Sequence, residues 1–179
     1  LKLKNINLKS LLSHSLSGTA KIPGDKSISH RSLIIGSLSI GKSKVFRLLE
    51  SDDVLATKQA LRELGVKISK SKKDYWEING VGLHGFKSPK NFLNLHNSGT
   101  GVRLLMGAVM GSNITTSFKG DPSLSSRPMM RIIEPLKLMG AKFDYYNNGT
   151  LPITLFSPSE VLSLENKTPV SSAQIKSSI

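Results

Sequence analysis

The 179-residue chain contains no cysteine. That excludes disulfides, thiolate metal centres and a cysteine nucleophile, and it fits a reducing compartment. Aromatic residues are scarce, at 6% of the chain, and Trp76 and the three Tyr are not interleaved with basic residues as on a nucleic-acid surface. No apolar run approaches the ~18 residues that a membrane span needs, and the N-terminus lacks the apolar stretch of a secretory signal. The glycosylation triplets at Asn113, Asn148 and Asn166 are accordingly read as chance. Acids are also few: 12 Asp and Glu face 25 Lys and Arg, for a net charge of +13. Such an excess points to an anionic partner, whether nucleic acid, lipid surface or phosphorylated small molecule. Lys70, Lys72 and Lys73 form the one tight basic cluster, between two strand-like segments, and read as a solvated hairpin turn. His14 and His30 have no companions at metal-ligand spacing, so no metal site is expected and His30 reads as structural or supporting.

What is present is a repeated apolar pattern. Leu61-Arg62-Glu63-Leu64-Gly65-Val66-Lys67-Ile68 resembles Leu136-Lys137-Leu138-Met139-Gly140-Ala141-Lys142-Phe143, and Arg31-Ser32-Leu33-Ile34-Ile35-Gly36 resembles Arg103-Leu104-Leu105-Met106-Gly107. Two landmarks in the same order imply duplicated β-α-β-α-β-β units. In the first unit the pattern predicts a strand over Thr19–Ile22, a helix from Ser27 to Leu38 and a strand over Lys44–Leu49. A helix capped by Ser51 and ended by Gly65 follows, then a hairpin of Val66–Ser69 and Tyr75–Ile78. The second unit predicts a strand over Asn91–Leu95, a helix over Thr100–Met110 and a strand over Ile114–Lys119. Its second helix is expected to start at Pro128 and to kink at Pro135, before a hairpin of Ala141–Tyr146 and Leu151–Phe156 around Asn147-Asn148-Gly149. A third unit begins near Thr168, and the chain, which starts without Met, reads as a piece cut from something longer. The fold class is mixed α/β (α+β).

Gly36-Ser37-Leu38-Ser39-Ile40-Gly41-Lys42-Ser43 matches the phosphate loop of nucleotide hydrolases by spelling alone. That loop needs a strand before it and a helix after it, and here the order is reversed, so the match is rejected. The helix starts are more informative. Gly24-Asp25-Lys26-Ser27-Ile28-Ser29-His30-Arg31 places a Lys, a Ser hydroxyl and an Arg where a strand enters a helix, at the positive end of the helix dipole. Asn97-Ser98-Gly99-Thr100 repeats that position in the second unit, where Gly99 lets backbone N–H groups approach a phosphate, and Ser172-Ala173-Gln174 repeats it in the third. Three equivalent helix starts point to a site for a small molecule with several anionic groups. Arg127 is a further candidate, and the role of Arg103 stays open.

These motifs, with Ser126-Arg127-Pro128-Met129 and Ser172-Ala173-Gln174-Ile175-Lys176-Ser177, resemble the 5-enolpyruvylshikimate-3-phosphate synthase family from about Leu16 to Ile179. The resemblance implies an inside-out α/β barrel globe of three such units, with helices inside and sheets outside, incomplete in this chain. Residues 1–20 would be a strand segment of the other globe. Residues 21–90 would form unit one, 91–165 unit two and 166–179 the start of unit three. It also implies transfer of the enolpyruvyl group of phosphoenolpyruvate to the 5-hydroxyl of shikimate 3-phosphate, by addition and elimination, with no cofactor. Lys26 would contact both substrates, and Ser27 and Arg31 the shikimate carboxylate. Gly99 and Arg127 would bind the phosphoenolpyruvate phosphate, with Asn97 and Thr100 shaping that loop. Ser172 and Ala173 would hold the shikimate phosphate, and Gln174 would touch both ligands.

The family's acid/base carboxylates lie in the globe this chain lacks, so the chain alone is expected to be inactive. The Ser-Ala-Gln variant resembles a bacterial subgroup with glyphosate-tolerant members, but those carry Ala where Gly99 stands, so an intact enzyme is expected to be glyphosate-sensitive. A cytoplasmic monomer acting on small molecules, with no nucleic acid and no membrane, completes the expectation. The rivals are the UDP-N-acetylglucosamine enolpyruvyl transferases, which carry Lys-Asn where this chain has Lys26-Ser27, and a basic nucleic-acid-binding module.

Overall fold

The computed structural model describes residues 9–12, 15, 17–165 and 171–179. The first unit runs α1 (Lys26–Leu38), β1 (Ile40–Phe46), α2 (Asp52–Glu63), β2 (Lys67–Lys70) and β3 (Tyr75–Val81). The second runs β4 (Leu93–Asn94), α3 (Gly99–Ala108), a 3-10 turn (Met110–Ser112), β5 (Thr115–Lys119), α4 (Pro122–Ser125), α5 (Met130–Leu138), β6 (Lys142–Tyr146) and β7 (Thr150–Phe156). A last helix, α6 (Ala173–Ser178), follows.

The strands form two sheets. One has the antiparallel order β1-β3-β2; the other has the order β4-β5-β7-β6, with β4 parallel to β5. Strand alternation puts Trp76 and Ile78 of β3, and Leu151, Ile153 and Leu155 of β7, on the inner faces. There they meet Leu33 of α1, Leu61 of α2, Leu105 of α3 and Ile132 of α5 in one continuous apolar cluster. α1, α2 and α3 pack on one another, and α6 lies against α3 and α5. The helices thus form the interior and the sheets the outer wall, as expected.

Several expectations are corrected. Thr19–Ile22 is not a strand, so the first sheet has three strands where the second has four. β1 stops at Phe46 because Arg47 takes a left-handed backbone (φ 55), which ends the extended edge a parallel neighbour would need. The Arg47 guanidinium instead donates to the Ile22 carbonyl at 2.9 Å. β1 itself begins at Ile40, and the expected Asn91–Leu95 strand shrinks to the two residues of β4. Pro128 does not open a helix. It lies between α4, where Pro122 follows the capping Asp121, and α5, whose N-cap is Met129. Helical backbone continues on both sides of Pro135, which is buried with Ile132, Ile133 and Leu136, so core packing offsets its missing N–H.

Other readings hold. Gly65 ends α2 with φ +98, and Asn147, Asn148 and Gly149 all take positive φ in the β6–β7 turn. Ser51 stands at the N-cap of α2 but its hydroxyl makes no capping bond. Gly36–Ser43 is a helix end followed by a strand, which is the geometry that excludes a phosphate loop. The expected start of unit three near Thr168, and most of the segment 1–20, lie outside the described residues.

Candidate anion-binding site

The starts of α1, α3 and α6 gather the predicted site residues into two linked clusters. α1 begins at Lys26 because Asp25, just before it, accepts the Ile28 N–H at 2.7 Å through its carboxylate. A carboxylate therefore already occupies that helix end. Side chains, rather than the helix dipole, must supply attraction for an anion there.

The first cluster joins α1 to α6. Arg31, one turn into α1, donates to the Ser27 carbonyl (3.2 Å), the Ala173 carbonyl (3.2 Å) and Ser177 Oγ (2.8 Å). Ser27, Ile28, Arg31, Ser172, Ala173 and Gln174 line one open depression between the two helices. α6 is held at its start by Ser172, whose Oγ accepts the Ile175 N–H, and it is anchored by buried Ile175.

The second cluster surrounds the start of α3. Ser98 caps this helix by accepting the Gly101 N–H at 3.1 Å. Asn97 Oδ1 accepts from Arg127 Nη2 at 2.6 Å, which fixes the guanidinium of Arg127 beside the loop. Gly99 is buried where the chain passes two guanidiniums: a Cβ there would stand 3.0 Å from Arg103 Nη1 and 3.1 Å from Arg127 Nη1. Burial, and the charges of Arg127 and Arg131, push the Arg103 guanidinium below its usual pKa. Cations crowded together, with no carboxylate paired to them among the described residues, are poised to take an anion.

Gln174 connects the clusters. Its Oε1 accepts from Arg103 Nη1 at 3.1 Å and its Nε2 donates to Thr100 Oγ1 at 2.9 Å. Lys26 stands apart from both, in an ion pair with Asp53 of α2. Sequence reasoning missed Asp53 as a partner, left Arg103 unassigned and did not foresee Ser177. Only the i, i+4 spacing of Ala173 and Ser177 hinted at the last. His30 is fully buried and bonds Thr57 Oγ1 through Nδ1 at 2.9 Å, while its Nε2 is buried without a partner. No group of three metal-ligating side chains occurs among the described residues.

A family model described as EPSP synthase (3-phosphoshikimate 1-carboxyvinyltransferase) matches residues 12–179. The chain belongs to the EPSP synthase family. The 3-phosphoshikimate 1-carboxyvinyltransferase of Bradyrhizobium sp. (strain ORS 278) is 51% identical over 173 residues, which is 96% of this chain and 39% of that relative. That of Rhodopseudomonas palustris (strain BisB5) is 49% identical over 173 residues, with the same coverage of 96% and 39%. The solved EPSP synthase from Acinetobacter baumannii superposes with a TM-score of 0.85 at 42% identity, covering 90% of this chain and 37% of that one. The chain thus spans about two fifths of its EPSP synthase relatives, and it shares their inside-out α/β fold.

Proposed function

We propose that this chain forms the part of a 3-phosphoshikimate 1-carboxyvinyltransferase that binds shikimate 3-phosphate and the phosphate of phosphoenolpyruvate. One observation carries the reading: Gln174 lines the depression of Ser27, Arg31 and Ser172 while its carboxamide bonds Arg103 and Thr100 of α3, so the two clusters adjoin. Two anions bound at adjoining clusters would lie side by side, as a group transfer between them requires. Residues 21–90 and 91–165 act as the first two units of one globe, 166–179 opens the third, and residues 1–20 reach to the other globe. The setting is a cytoplasmic monomer.

In this reading Ser27 and Arg31 bind the shikimate carboxylate, and Ser172 and Ala173 bind its phosphate. Gly99 and Arg127 bind the phosphate of phosphoenolpyruvate, in a loop shaped by Asn97 and Thr100. Gln174 and Lys26 touch both ligands. The shikimate 5-hydroxyl oxygen bonds to C2 of phosphoenolpyruvate as C3 gains a proton and the hydroxyl loses its own. The C2–O bond to phosphate then breaks, C3 gives up a proton, and the enolpyruvyl ether remains. The cations supplied by this chain stabilise the phosphate as it departs.

Calorimetric titration of the chain with shikimate 3-phosphate tests the reading. Saturable binding is expected, weakened at least tenfold by Arg31→Met, with no comparable affinity for a DNA duplex at the same salt. Equal affinity for any polyanion, falling steeply with salt, would instead identify a nucleic-acid-binding module.

A further inference from the structure

Lys26 is the one predicted ligand-binding side chain held by neither cluster, and the structure shows what holds it. Its ammonium pairs with the carboxylate of Asp53 in the first turn of α2. One turn further along each helix the pairing is repeated below the surface, where His30 Nδ1 meets Thr57 Oγ1 at 2.9 Å. The two helices are therefore joined by two rungs with the same i, i+4 spacing. The lower rung, His30–Thr57, is fully buried. Thr57 Oγ1 also lies 3.3 Å from the Asp53 carbonyl, which ties the rungs together. α3 closes on the same point, since a Cβ on Gly101 would collide with Thr57 Oγ1.

The upper rung has a different character. The side chains of Lys26 and Asp53 keep 50% and 25% of their exposure, so the pair contributes little to folding stability. What it can do is orient. A lysine ammonium sits on a flexible four-carbon stem and carries three donors. Asp53 takes one donor, which leaves two to face a ligand and restricts the stem beforehand. Asp53 and Asn97 line one cleft, so the carboxylate that holds the ammonium faces the α3 loop.

We propose that Asp53 is a positioning residue for the substrate-binding site: it orients the Lys26 ammonium at the start of α1, next to Ser27 in the chain, on a base set by the buried His30–Thr57 contact. This rests on the site reading given above. It assigns Asp53 a role through Lys26, with no contact of its own to substrate.

The test titrates the isotope-labelled 179-residue chain with shikimate 3-phosphate and follows the amide shifts of 171–179 by NMR. Four proteins are compared: the parent, Asp53→Asn, Lys26→Met and the double variant. Asp53→Asn is isosteric and its dispersed amide spectrum serves as the check on folding. The expected result is a fivefold to tenfold loss of affinity in Asp53→Asn, with no further loss when it is added to Lys26→Met. Binding unchanged in Asp53→Asn but weakened in Lys26→Met overturns the proposal and leaves the site reading standing. An equal loss from Asp53→Asn in both backgrounds also overturns it, since the residue would then act independently of Lys26. Binding that is absent throughout, or indifferent to Lys26→Met, overturns the site reading itself.

Discussion

At the scale of single residues, burial sets the chemistry of His30. Desolvation lowers its pKa to about 4 from 6.5; Asp53 opposes that fall, while Lys26 and Arg31 reinforce it. The folded chain therefore keeps this imidazole neutral at pH values where the unfolded chain protonates it. Its contribution is fully present above pH 6.5 and is lost as the pH falls towards 4, by about 3 kcal/mol in all. Urea unfolding at pH 7 and pH 4.5 should show the parent losing about 2 kcal/mol more than His30→Gln. Carboxylates titrate in the same window in both proteins, so an equal loss would show that His30 is not the group responsible. Gly99 makes the opposite kind of prediction, about space. Its Cβ would press on the guanidiniums of Arg103 and Arg127, whose flexible ends must give by a few tenths of an ångström. In an active enzyme bearing this chain, Gly99→Ala should raise the KM for phosphoenolpyruvate and weaken glyphosate inhibition more, by about tenfold or above for one methyl group. Inhibition that is unchanged by the methyl would refute the steric account.

At the scale of elements, α6 shows how a short helix is kept in place. Six residues form no stable helix alone, and Arg31 reaches this one from a position 146 residues away, donating to Ser177 while also meeting the Ala173 carbonyl. Arg31→Met should speed amide exchange across 173–178 at least tenfold and leave β5–β7 protected, because Gln174 and Ile175 remain as its other anchors. Unchanged exchange would mean that apolar packing alone docks the helix. No sequence pattern announces that contact, whereas the elements it joins were legible. The 3.6-residue apolar spacing gave α1, α2, α3 and α5, and the Asn147-Asn148-Gly149 turn gave the β6–β7 hairpin. The failures have local causes. The strand expected at Thr19–Ile22 is forestalled by the left-handed Arg47, a conformation its residue type does not advertise. α4 carries a proper signal in Asp121-Pro122, but four residues leave no periodicity to read. The site residues were legible as types at helix starts. Their partners were not, since Asp53, Ser177 and Thr57 arrive from other elements.

At the scale of the whole molecule, the charge of +13 separates into two populations. Lys42 pairs with Glu77, Lys70 with Glu50, and Lys58 lies 4.7 Å from the centroid of the Trp76 ring, all on the outer wall or its margin. Lys26, Arg31, Arg103 and Arg127 instead surround the helix starts, and of these, among the described residues, Lys26 alone has a carboxylate partner. That distribution suits binding anions, and among the described residues neither cluster contains a carboxylate or an imidazole. Enolpyruvyl transfer needs one proton delivered to C3 and another taken from the attacking hydroxyl, by side chains within about 3 Å of those atoms. The clusters offer guanidiniums, hydroxyls and a carboxamide. Asp25 caps α1, Asp53 holds Lys26, and His30 is sealed in the interior. The 179-residue chain incubated with phosphoenolpyruvate and shikimate 3-phosphate should therefore release no phosphate above background, while still binding shikimate 3-phosphate. Mixing it with the part of the Bradyrhizobium relative that it does not span should restore turnover, and Arg127→Met should remove most of what is restored. Steady phosphate release by the chain alone would place an acid or base beside the clusters, and would make Asp53 the first residue to suspect.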